Sequence, residues 1–274
     1  GAILRRELAI PFSFTLHTSA QLTERCRSSY RSIVMASAFV RTISQKTKDD
    51  LQLFFSDLQL RIHKVHLGLR IDAHSKKKIA IQTLSSYPKI IMVCVLEEYK
   101  GVDNAIYAVK RLIEKQEYVE LDIYGDGSCA DKLKALVDKQ KLTQFVTFKG
   151  HVPNEEIMNQ LNNMDRGILL LTSDSNGGLQ EEGIPVAAME AMRAGVMVVA
   201  TQNGGISELI DDNQNGFLIP QKDINAICDA LTYVIKLDSE PFDEIICNAK
   251  LKIVKHFNAA KNSKSLLRLL LHED

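Results

Sequence analysis

A carboxylate inside an apolar helix needs a partner, and the stretch EEGIPVAAMEAMRAG (181–195) puts Glu190 in that position. Pro185 suits a first helical turn, whose N–H groups have no intrahelical partners, and Gly195 suits the left-handed position that closes a helix. The residues between them leave no clean polar face, so a buried helix is expected. Glu190 then either pairs with Arg193, three residues on, or holds something from outside the helix.

Further residues capable of chemistry fall just after apolar, Val- and Ile-rich runs. They are Lys100-Gly101, Gly125-Asp126-Gly127, Gly150-His151, the segment 172–182 and Gly204-Gly205. Glycines there allow tight turns and close backbone approach, and a helix that follows offers N–H donors and a positive dipole end. A phosphorylated ligand matches such ends. Residues 125–130, GDGSCA, also fit the G-x-G-x-x-[GA] dinucleotide fingerprint. That fingerprint wants an acidic residue about twenty positions on to hold a ribose. Phe148-Lys149-Gly150 stands there instead, so NAD is poorly supported and NADP would rest on Lys149 alone. A plain strand-to-helix turn is the alternative.

The elements that must position these residues alternate. Strands are expected at 88–96, 119–125, 145–150, 166–172, 196–201 and 216–220. Helices are expected at 102–115, 128–140, 154–163, 184–194, 205–211 and 222–236. This is the pattern of an α/β protein with a doubly wound parallel sheet. Residues 88–238 read as one complete domain. Residues 1–70 read as a partial one, with strands at 11–17, 39–44 and 61–68. A polar linker over 71–87, carrying Lys76 to Lys78, joins them, and 239–274 reads as a helical tail returning toward the first part.

Composition narrows the function classes. Lys plus Arg equals Asp plus Glu at 34 each in 274 residues, so no global field favours nucleic acid. The five cysteines contain no C-x-x-C pair, which fits a reducing cytoplasm better than a disulfide or zinc framework. No apolar run reaches membrane-spanning length; a peripheral membrane contact stays open. His63 and His66 lie at odd spacing on an expected strand, on opposite faces, and make no metal cluster.

With Glu182 and Glu190 in an E-x7-E pattern, the segment 181–220 resembles glycosyltransferase family 4. Particular similarity is to bacterial exopolysaccharide glycosyltransferases of colanic-acid type. YKGVDNAI (99–106), YGDGS (124–128), VTFKGHVP (146–153), IPFSFTLH (10–17) and FVRTISQKTKDDL (39–51) occur in the family's order. The resemblance implies a GT-B fold of two Rossmann-like domains, the N-terminal one incomplete in a chain that opens without Met. It implies a retaining transfer of sugar from a nucleotide diphosphate sugar, UDP-linked by preference, to a polysaccharide or lipid-linked acceptor, without cofactor or metal.

The same resemblance implies roles for individual residues. Glu190 would bind ribose hydroxyls and Glu182 the donor sugar, about 12 Å apart if eight helical steps separate them. Gly183 and Ile184 N–H groups would face the sugar and phosphates, with Gly125 and Gly127 beside them. Lys100 would neutralise the leaving diphosphate. Gly150, His151 and Val152 would line the base, and His17 would face the transferred sugar. The implied location is the cytoplasm, at the inner face of the membrane.

Two positions depart from the family pattern: Cys94-Val95 stands where relatives show Gly-Arg, and Thr18 follows His17 where many have Gly. Val95 and the incomplete N-terminal part support a second reading, a non-catalytic nucleotide-sugar-binding or scaffold protein; an NADP-binding oxidoreductase is the third. Structural roles stay open for Glu182 as an acidic loop residue, His17 as a core histidine and Lys100 as a turn lysine. Gly204, Gly205 and Glu208 are taken as mainly structural.

Overall fold

The computed structural model describes residues 12–19, 22–71, 87–175 and 180–271, and two parallel sheets organise them. The first is built from β1 (Ser13–Leu16), α1 (Arg27–Ala36), β2 (Phe39–Thr42), α2 (Gln45–Phe54) and β3 (Ile62–Lys64), with strands in the order β1-β2-β3. Phe14 lies opposite Val40, and Val40 opposite Ile62. Leu16, Val34, Val40, Leu51, Phe55 and Ile62 form its small core. Ser44 starts α2 sharply, its hydroxyl accepting from Thr47 N at 3.1 Å.

The second sheet follows β4 (Lys89–Val93), α3 (Val102–Glu114), β5 (Glu120–Tyr124), α4 (Ala130–Lys139), β6 (Val146–Gly150), α5 (Asn154–Asn163), β7 (Ile168–Leu171), α6 (Val186–Ala194), β8 (Met197–Thr201), α7 (Ile206–Leu209), β9 (Phe217–Ile219) and α8 (Ile224–Lys236). Its spatial order is β6-β5-β4-β7-β8-β9. The chain winds outward from β4 to one edge, returns to β7 on the other side of β4, and winds out again. The loops that leave β4 and β7 therefore part at a switch in winding direction, where open α/β sheets hold their ligands.

Residues of α3, α4 and α8 cover one face, and those of α5, α6 and α7 cover the other. Every residue of β7 and β8 is buried, which is why both read as unbroken apolar runs. Two further helices follow, α9 (Ser239–His256) and α10 (Ala259–Leu271), of which α9 packs on α6. The turn between them returns to the first part: Leu69 N donates to Phe257 O at 2.8 Å, and Ala259 N to Leu69 O at 2.9 Å. No helix among the described residues is long and apolar enough to cross a membrane.

The α/β, doubly wound reading matches these sheets. One boundary differs in a way that matters. The helix expected at 184–194 begins at Val186, and Pro185 precedes it with φ −65° and ψ 122°. Ile184 stands before a proline, where the α region is sterically disfavoured, so the chain stays non-helical until Pro185 is passed. Glu182 is thus on a loop, and the helical rise of about 12 Å does not describe its distance from Glu190. Of the expected linker only Ile71 and Tyr87 are described; Lys76 to Lys78 lie outside the described residues.

Candidate active site

The loop after β4 turns through a short 3-10 segment, Glu98–Lys100, and leaves it at Gly101 with φ 60°. A Cβ on Gly101 would lie 2.3 Å from Thr172 O, so only glycine lets this loop press against the one after β7. Thr172 Oγ1 donates to Gly101 O at 2.8 Å with Lys100 O 3.0 Å away, and Asp174 N donates to Tyr99 O at 2.7 Å. Lys100 is thereby held by main chain across the switch point.

Its side chain completes the junction. Lys100 Nζ forms an ion pair with Glu182 Oε1, and Ser173 Oγ donates to that same oxygen at 2.8 Å. The Tyr99 ring lies 4.8 Å from the ammonium. Glu182 is set from behind by the turn after β8: Gly205 N donates to Glu182 O at 3.0 Å, and Gly204 takes φ 58° where a Cβ would lie 1.9 Å from that carbonyl. Gly204 and Gly205 are therefore structural in a specific sense, since they seat Glu182.

Lys100, Ser173, Glu182 and Asn203 line a cavity of about 210 Å³, closed on one side by Pro185, Val186 and Ala187 at the start of α6. A cation and a helix N-terminus facing one cavity suit an anion. A second cavity, of about 450 Å³, lies alongside and shares Val93 and Cys94 with the first. Val95, Tyr124, Gly125, His151, Val152 and Asn154 are among its other lining residues. Burial pushes the Cys94 thiol up to about 11, with Lys100 opposing and Glu182 adding to the rise, so the wall between the two cavities is a neutral SH.

Glu190 is 8% exposed and its Oε1 accepts from Asn154 Nδ2 at 3.1 Å. Arg193 does not pair with it: the guanidinium reaches the other way and donates to Arg70 O at 2.8 Å. Glu190 thus meets the larger cavity through Asn154.

The other expected site residues divide. His151 and Val152 line the larger cavity, and Gly125 does so by main chain. Gly127 serves packing instead, because a Cβ there would lie 2.6 Å from Leu96 O, and Gly125 likewise presses on Cys94 O. The glycines of the fingerprint thus bring two loops together, and Lys149, the one residue on which NADP would rest, pairs with Asp122 at 3.4 Å. Gly150 takes φ 70° and its carbonyl accepts from Gly125 N at 2.8 Å; it does not line the cavity. Neither do Gly183 and Ile184: Ile184 is in the core, and a Cβ on Gly183 would lie 2.9 Å from His17 O. The helix start facing the cavity is instead that of Val186 and Ala187. His17 is exposed rather than buried, with its backbone against the Glu182 loop.

Adjacent to Glu182, Glu181 points to the first sheet. Its carboxylate accepts from Ser19 Oγ at 2.8 Å and pairs with Lys46 Nζ at 3.1 Å, while Thr18 Oγ1 donates to its carbonyl at 3.1 Å. Glu208 makes a second tie. It accepts from Gln45 N at the start of α2, pairs with Lys64 at 3.4 Å and bonds His66 Nε2 at 3.0 Å. Burial pushes the Glu208 carboxyl up, and these partners outweigh it, holding the group below its ordinary range. Sequence reasoning passed over Asn154 and Asn203 and took in Ser173 and Glu181 only as part of the segment 172–182. Asn154 meets Glu190 from 36 residues away, and Asn203 reaches the cavity only because β7 and β8 are neighbours in the sheet.

The chain belongs to the family described as glycosyl transferases group 1, whose model matches residues 75–252. The putative colanic acid biosynthesis glycosyltransferase WcaL of Escherichia coli is 31% identical over 232 residues, 81% of this chain and 57% of the relative. The amylovoran biosynthesis glycosyltransferase AmsK of Erwinia amylovora is 33% identical over 182 residues, 66% of this chain and 44% of the relative. The chain thus spans about half the length of these curated relatives. Among solved structures, HepE of Anabaena in complex with UDP superposes with a TM-score of 0.82 at 20% identity, over 99% of this chain and 75% of HepE. The fold is GT-B.

Proposed function

We propose that the protein is a retaining glycosyltransferase, or a part of one, that moves a sugar from a nucleotide diphosphate sugar to a polysaccharide or lipid-linked acceptor. The observation that carries this is the Lys100–Glu182 pair, set on a cavity at the switch point and facing the start of α6. Two adjacent cavities of unequal size suit a sugar diphosphate in the smaller and a nucleoside in the larger. UDP is the favoured nucleotide, in keeping with the ligand of HepE.

In this reading the ion pair is a resting arrangement. When the donor enters, the diphosphate takes the Lys100 ammonium and Glu182 turns its acceptor oxygens to sugar hydroxyls. The bond from the anomeric carbon to the β-phosphate oxygen breaks, and its electron pair leaves on UDP. The acceptor hydroxyl oxygen bonds that carbon on the vacated face and gives up its proton to the departing diphosphate. Lys100 and the N–H groups opening α6 stabilise charge growing on the leaving oxygen, an effect worth about 3–4 kcal/mol per well-placed donor. Glu190, with Asn154, holds the ribose edge. His17 stands on the acceptor side of the Glu182 loop.

The test is incubation with UDP- and GDP-hexoses plus an oligosaccharide acceptor, following free nucleotide and the product's anomeric configuration by NMR. Transfer with the donor's configuration supports the reading; inversion removes the retaining mechanism. Binding without transfer favours the non-catalytic alternative, for which half-exposed Val95 is the specific observation, because it brings no cation to the diphosphate.

A further inference from the structure

Asn203 carries a buried amide beside the Lys100–Glu182 pair. It lies two residues past the end of β8, is 3% exposed, and neither its Nδ2 nor its Oδ1 has a hydrogen-bond partner among the described residues. An amide that has left water at both ends without gaining a partner is unfavourable, and such a group calls for an explanation. The same side chain lines the smaller cavity together with Lys100, Ser173 and Glu182.

Its backbone is fixed from both sides. Thr201 Oγ1 donates to Ser173 O, Gln202 N donates to Ile219 O at 2.9 Å, and Gly205 N donates to Glu182 O at 3.0 Å. Gly204 between them sits at φ 58°, a conformation few other residues would accept. The side chain therefore starts from a fixed backbone position and is packed at 3% exposure, which favours preorganised recognition of a ligand group.

The chemistry of the wall says which group. Glu182 can only accept, Lys100 can only donate, and the Ser173 hydroxyl proton is committed to Glu182. Asn203 adds a neutral donor and a neutral acceptor side by side. Phosphate oxygens accept only, so a phosphate would leave Oδ1 unpaired and facing negative charge. Two neighbouring hydroxyls, each able to donate and accept, satisfy both ends.

We infer that Asn203 is a specificity-determining residue that reads a vicinal pair of hydroxyls on the donor's hexose, Nδ2 donating to one and Oδ1 accepting from the other. This rests on the nucleotide-sugar reading and goes beyond it by naming the sugar chemistry, an unsubstituted diol. A site built to bond hydroxyls rejects an analogue lacking them, because its own polar groups are then left unpaired.

The experiment is calorimetric titration of the chain and of its Asn203→Ala and Asn203→Leu variants with UDP, UDP-glucose, UDP-galactose, GDP and GDP-mannose. For the base that binds, both variants should keep the affinity for the diphosphate and lose roughly tenfold for a hexose conjugate, the scale of one or two neutral hydrogen bonds. The thermal midpoint of Asn203→Leu should match or exceed that of the parent, since the substitution removes an unpaired buried amide; a large fall would mean a structural role and overturn the assignment. An equal loss for diphosphate and conjugate, or no loss for either, overturns the hexose role and leaves the nucleotide site standing. No binding of any of the five compounds by the parent chain overturns both readings.

Discussion

Lys100 and Glu182, 82 positions apart in the chain, meet in one ion pair across the switch in winding direction, and Ser173 bonds the same carboxylate oxygen. The pair is mostly shielded, with side chains 14% and 19% exposed, so neither charge is well hydrated if its partner is lost. Lys100→Ala is expected to lower kcat/KM for sugar transfer by about 10²–10³-fold, the scale of removing one donor from a developing oxyanion. Glu182→Gln should act differently, raising KM for the sugar conjugate more than for UDP as a product inhibitor. Steady-state kinetics with both variants checks this, and an unchanged kcat/KM in Lys100→Ala would sink the charge-stabilising role.

Glu190 lies behind the larger cavity and is bonded through Asn154. Glu190→Gln is expected to weaken nucleoside diphosphate binding by roughly tenfold, because a charge-assisted acceptor becomes a neutral one. Calorimetry reads this directly; unchanged affinity would remove the ribose role.

Gly204 supports Glu182 by close approach, at a backbone angle of 58°. Gly204→Ala is predicted to destabilise the fold by roughly 2 kcal/mol or more, from left-handed strain and overlap with the Glu182 carbonyl. Urea denaturation measures the loss. A variant as stable as the parent would mean that the turn is free to shift and does not seat Glu182.

The Glu208 tie has a pH signature. Its carboxyl is held below its ordinary value of 4.5, so its contribution to stability is fully present above that value. The contribution is lost as pH falls through the lower folded value, when the protonated group no longer pairs with Lys64 and His66. Thermal midpoints recorded below about pH 5 should fall less steeply in Glu208→Gln than in the parent. Parallel acid limbs would contradict the assignment.

Much of the architecture could be read ahead of the structure, because β7 and β8 are buried on both faces and show as unbroken apolar runs, while α3, α5 and α8 carry clear helical periodicity. That Lys100, Gly125, His151 and Glu182 gather beyond the strand ends was legible as well, because topology alone brings those ends together; Gly127, Gly150, Gly183 and Ile184 lie at strand ends too and do not line either cavity. What stayed hidden depends on contacts distant in sequence. Arg193 is the obvious partner of Glu190 under helix-spacing rules, yet Asn154 takes that place from 36 residues away. Ser173 and Asn203 carry no motif; they matter because β7 and β8 are neighbours in the sheet and their following loops line one cavity. The helix start was misread at Pro185, whose effect falls on the residue before it as well as on itself.

The most direct measurement is calorimetric titration of the chain with UDP and GDP, alongside Lys100→Ala. Saturable binding of at least one diphosphate, weakened by roughly tenfold or more in Lys100→Ala, is the predicted result. A folded chain that binds neither would contradict the assignment of these two cavities to a nucleotide diphosphate sugar.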